Sequence, residues 1–102
     1  MFRIEEYLVK SSLSNSFQSL DWDKLVPTIK GLGLKIEWNT QSGWHIELGN
    51  WRIWQVRLGW QSAQLIKGRY CNHKICEGYE NGLEEAVNRV LSETKTLPVA
   101  NT

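Results

Sequence analysis

The 102-residue chain predicts an α+β fold: an antiparallel sheet of three to four strands, with one helix before it and one after it packed on the same face. Three observations predict this. Apolar residues recur at helical spacing from Trp22 to Leu32, alternate strictly from Leu34, and return to helical spacing from Leu83 to Leu91. Two helices on one side of a sheet bury a continuous apolar surface and leave the other side open to solvent or a partner.

Residues 1–18 read as an N-terminal appendage. Ile4 and Leu8 fit a short helix, Tyr7-Leu8-Val9 would also suit an edge strand, and the serine-rich run from Ser11 to Ser16 reads as a linker. The domain proper spans 19–93. Its first helix places Trp22, Leu25, Val26, Ile29 and Leu32 on one stripe, with Asp21 and Asp23 at the positive end and Gly31 and Gly33 as the stop. Pro27 is discordant, so the regular helix is expected to be short, bent or late in starting.

Leu34, Ile36 and Trp38 then alternate with Lys35, Glu37 and Asn39, and Asn39 to Gly43 reads as a turn. Trp44, Ile46 and Leu48 form a second strand, which makes Trp38 and Trp44 expected core residues. After Gly49-Asn50, the strand from Trp51 to Leu58 is apolar on both faces, with Trp51 and Ile53 on one and Trp54, Val56 and Leu58 on the other. Gly59 to Ser62 is read as closing that strand, Ala63 to Tyr70 as a weaker fourth strand, and Cys71 to Gly78 as a turn or irregular edge. Asn81 with Glu84 resembles a capping box, and Leu83, Ala86, Val87, Val90 and Leu91 form the stripe of the last helix. Residues 94–102 read as a flexible tail.

The segment from Gly43 to Leu91, with Arg57-Leu58-Gly59 and Gly82-Leu83-Glu84-Glu85-Ala86-Val87, resembles the three-stranded-sheet-plus-helix DNA-binding domains of the plant ethylene-response type and some integrase arms. With the first helix included, the order also resembles a double-stranded-RNA-binding domain. Those resemblances imply a three-stranded sheet and nucleic-acid contact. The RNA-binding type expects a basic cluster where this chain has Glu84-Glu85, which weakens the functional likeness.

Composition narrows the function classes. A single core is expected at this length, 41% hydrophobic residues with 23% charged describe a globular chain, and a net charge of +1 does not suit a charge-driven nucleic-acid binder. No apolar run is long enough to span a bilayer, and the N-terminus lacks a secretory leader, so a cytoplasmic location without membrane contact is expected. Two cysteines in that setting read as reduced thiols.

Five of the six tryptophans fall between Trp38 and Trp60. Burying one indole is worth on the order of 4–6 kcal/mol before ordering costs, and the same ring can instead meet a partner. The leading expectation is therefore a small non-catalytic module that binds a protein partner or forms a homodimer through Trp51, Ile53, Trp54, Arg57 and Trp60. The alternative is nucleic-acid binding through Arg52, Arg57, Lys67 and Arg69, interleaved with aromatic rings. A small enzyme or metal-binding protein is the second alternative. Cys71, His73 and Cys76 are a weak ligand set without a converging fourth member, and no cofactor is expected. Glu37 and Glu47, on one side of adjacent strands, are expected to face lysine or arginine across the sheet.

Overall fold

The computed structural model describes residues 2–10 and 18–96. In chain order they form a 3-10 turn at Ile4–Tyr7, β1 (Leu8–Lys10), β2 (Gln18–Leu20), α1 (Trp22–Gly31), β3 (Lys35–Asn39), β4 (Gly43–Leu48), β5 (Trp51–Val56), β6 (Gly59–Ile66), β7 (Arg69–Glu77) and α2 (Glu80–Thr96). The α+β class holds, but the order and strand number differ from expectation. β1 and β2 pair with each other ahead of α1, and β3 to β7 form a five-stranded antiparallel meander.

The missed strand has a local cause. The turns after β5 and β6 are Arg57-Leu58 and Lys67-Gly68, neither of which carries the usual Asn-Gly or Asp-Gly signal. Lys67 and Gly68 both take positive φ, 52° and 79°, as a type I′ turn requires. Gly59 instead lies inside the sheet, where a Cβ would strike the Cys76 carbonyl oxygen, and a Cβ on Gly82 would strike the same oxygen from the helix side. These two glycines let the start of α2 settle against the end of β7.

Strand alternation assigns each side chain to a face. Ile36, Ile46, Trp51, Ile53, Trp60 and Cys76 point toward the helices and join Leu25 and Ile29 of α1 with Leu83, Ala86, Val87 and Val90 of α2 in one core. Pro27 sits inside α1 on its exposed side, where the carbonyl deprived of a hydrogen bond meets water.

The first residues are packed rather than appended. Phe2 and Ile4 lie in the same core at 4% and 2% exposure. Asn88 clasps the backbone of Phe2 at both ends, accepting from its N–H at 2.9 Å and donating to its carbonyl at 2.7 Å. Glu84 accepts the N–H of Ile4. The capping box read from Asn81 and Glu84 is therefore replaced by a tertiary contact, and the helix starts at Glu80.

A second tie joins α2 to the far strands. Arg89 donates to the Ser62 hydroxyl at 2.8 Å, the Ser62 carbonyl at 3.2 Å and the Asn72 carbonyl at 2.7 Å, and its guanidinium lies 5.1 Å from the Trp51 ring centre. Both strands it grips are irregular there: the register shifts between Ser62 and Gln64, and Asn72 has φ 56°.

Truncating Arg89 leaves the fully buried Ser62 hydroxyl without that donor. Arg89→Ala is expected to lower unfolding free energy by about 2–4 kcal/mol in urea titrations. Arg89→Lys, which lacks the planar fork, should recover less than half of the loss.

Candidate functional site

Both helices lie on one face of the meander, and among the described residues no helix covers the other. Cross-strand register arranges that face in rows, two of which run across its middle. One contains Lys35, Glu47, Arg52 and Ala63; the other contains Glu37, His45, Trp54, Gln61 and Ile75. Opposite charges neighbour one another along and between them. Lys35 Nζ lies 3.1 Å from Glu37, His45 Nε2 lies 3.5 Å from Glu37 and 3.6 Å from Glu47, and Arg52 lies 3.3 Å from Glu47. The carboxylates thus face basic groups across the sheet, as the alternation implies.

Over β5 to β7 aromatic and aliphatic side chains stand among Arg52 and Gln61. Trp54 meets Tyr70 at a ring-centre distance of 5.2 Å and a tilt of 54°. Tyr70 and Ile75 are 45% and 52% exposed, and Leu58 at the adjoining turn reaches 68%. Around Trp54 lies a depression of about 260 Å³, lined by Asn39, Ser42, His45, Arg52, Trp54 and Tyr70. The Arg52 Nε is buried and lacks a hydrogen-bond partner.

The residues expected to meet a partner separate into two groups. Trp51, Ile53 and Trp60 are core residues at 2%, 0% and 0% exposure, so they offer no surface. Trp54 stands on the bare face, and Arg57 is exposed in the turn after β5. The opposed tryptophans of β5 are explained by this division: Trp51 lies under Arg89, and Trp54 lies against Tyr70.

Trp38 is a correction of a different kind. It points toward the helix side but is 59% exposed, because its edge strand carries it beyond the cover of α1. Its ring meets Trp44 edge-on at 5.4 Å, and Trp44 stacks on Trp22 at 4.5 Å. Trp22 Nε1 donates to the Tyr79 hydroxyl, and Trp60 Nε1 donates to the Tyr79 carbonyl. Trp44 is half-buried in this rim, not fully in the core.

The basic residues of the nucleic-acid reading are not brought together. Arg52 is engaged by Glu47. Arg57 precedes β6 while Lys67 and Arg69 follow it, which separates them by roughly 25 Å along the eight-residue strand. Metal binding fares similarly. Cys71 and Cys76 lie on one strand at roughly 16 Å separation, and among the described residues no three His, Cys, Asp or Glu side chains are grouped to hold an ion.

Tyr70 and Ile75 were missed as site residues because the irregularity at Asn72 breaks the alternation that would have marked β7. Comparison of the chain with protein-family models, curated proteins and solved structures finds no match. The sheet has five strands where the DNA- and RNA-binding resemblances imply three. No helix among the described residues is long and apolar enough to cross a membrane.

Two titratable groups with raised pKa lie on the helix side, Cys76 buried and Tyr79 half-buried. Desolvation pushes the Cys76 thiol above its usual value, helped by the Glu85 carboxylate. Burial also raises the Tyr79 phenol, against the opposing hydrogen bond from Trp22. A group with a raised folded pKa contributes stability that is full below its unfolded pKa and lost as pH rises through the folded one. Stability is therefore expected to hold from neutral to roughly pH 8 and to decline above about pH 9, read by thermal melts. A thiol reagent at neutral pH should label Cys71 in the native protein and Cys76 only after unfolding.

Proposed function

We propose that the chain is a non-catalytic protein-docking module whose contact surface is the helix-free face of the sheet, centred on Trp54 and Tyr70. One observation carries the reading. Trp54 packs against the half-exposed Tyr70 on a face that no helix covers among the described residues, beside a ladder of charges and with the exposed Ile75 two strands from Trp54. Tryptophan, tyrosine and arginine are the residue types enriched at interaction hot spots, where an apolar centre is bounded by a polar rim. Trp54, Tyr70 and Arg52 meet that description at the centre, and Lys35, Glu37 and Glu47 meet it at the edge.

The charge pattern favours protein over nucleic acid. Glu37 and Glu47 stand among the basic residues of the face, so a phosphate backbone laid across it would meet carboxylates as well as cations. His45 has two carboxylate neighbours, and their arrangement with Lys35 and Arg52 is that of a solvated cross-strand ladder.

Photo-crosslinking in the cell that makes the protein tests the reading. A benzophenone side chain at Ile75 is expected to give protein adducts, whether to another protein or to a second copy. The same group at Leu32, exposed on the helix side, should give few. Equal yields at the two positions, or adducts to nucleic acid at Ile75, would contradict it.

A further inference from the structure

Resting on the docking-face reading, the structure points to one occupant: we propose that the face binds a second copy of the same chain, related by a two-fold axis running across the strands between the two rows. Such an axis turns one sheet over onto the other and places each row opposite its neighbour in the partner copy. Lys35 of one copy then faces Glu37 of the other, Glu47 faces His45, and Arg52 faces the ring of Trp54. The complementarity follows from the register, because Lys35, Glu47 and Arg52 share one row while Glu37, His45 and Trp54 share the next at the same strands.

The alternative orientations are less favourable. A rigid shift by one row along the strands disrupts this set of facing pairs, and an axis along the strands brings the charged β3–β4 side against the apolar β6–β7 side. With the axis across the strands, β5 to β7 of each copy meet each other. Trp54, on the central strand, then lies in the middle, with the charged side chains of β3 and β4 toward one edge and Ile75 toward the other. Stacked sheets sit about 10 Å apart, which leaves room for these side chains to interdigitate. Lys35, Glu37 and Glu47 each keep a partner within the chain and gain a second across the interface, His45 meeting Glu47 as an ion where its ring is protonated. An isologous contact of this kind closes at two copies.

The test uses the full chain and two exposed positions. Lys35→Glu makes its row neighbour pair wholly acidic, and Glu37→Lys makes it wholly basic, so each variant alone faces like charge across the proposed axis. In sedimentation equilibrium from about 1 to 500 µM, the wild-type chain is expected to dimerise and each variant to associate about tenfold more weakly or worse. An equimolar mixture of the two variants should recover association to within about threefold of wild type, since both facing pairs become opposite in sign. Matching thermal melts establish that neither variant has lost the fold.

A wild-type chain that stays monomeric across this range overturns the second-copy proposal. So does a dimer that ignores both reversals or that the mixture fails to restore. Adducts from Ile75 to a different protein, with none to a second copy, would leave the docking face standing and overturn the two-fold pairing.

Discussion

The guanidinium of Arg89 holds the far half of this protein together. It bridges the last helix to two strands at the points where both depart from regular geometry, while its plane covers the Trp51 ring. A planar fork reaches the Ser62 carbonyl and hydroxyl from one nitrogen and the Asn72 carbonyl from the other, a spread that the single ammonium of a lysine does not reproduce. Ser62 is a fully buried polar side chain among the described residues, and its hydroxyl is matched by this donor. The irregularities at Ser62–Gln64 and Asn72 belong to the same arrangement: they offer the carbonyl groups that the arginine reaches.

This one-sided anchoring has a structural consequence on the opposite surface. With α1, α2 and the N-terminal residues all gathered on one face, the second face of the meander must be finished by its own side chains. Over β3 and β4 it is finished by alternating charges, which keep a short edge strand solvated and discourage unwanted pairing. Over β5 to β7 it carries Trp54, Tyr70 and Ile75 beside Arg52 and Gln61. A face divided in this way is unusual for a sheet that meets only water, where clean polar alternation is the norm.

Much of the architecture was legible in the chain. The period change at Leu34 marked the start of the sheet, the Leu83 to Leu91 stripe marked the last helix, and the two-sided pattern of Trp51 and Trp54 marked a strand with something on each side. Three features were hidden, each for a physical reason. β7 was concealed by turns without turn-forming residue pairs and by the left-handed Asn72. The N-terminal residues looked detachable because their anchors, Asn88 and Glu84, are 86 and 80 positions away. Trp38 alternates as a core residue should, but alternation gives a face and not the extent of the helix that covers it. On the site itself, the cross-strand charges around Glu37 and Glu47 could be anticipated, whereas Trp51, Ile53 and Trp60 could be separated from Trp54 only once the faces were known.

Isotope-filtered NMR on a mixture of labelled and unlabelled chains reads the pairing of two copies directly. Intermolecular contacts are expected between the Trp54 indole of one copy and the Arg52 methylenes of the other. Contacts confined to the helix side, for example at Trp38 or α2, or none at concentrations where the chain is dimeric, would contradict it.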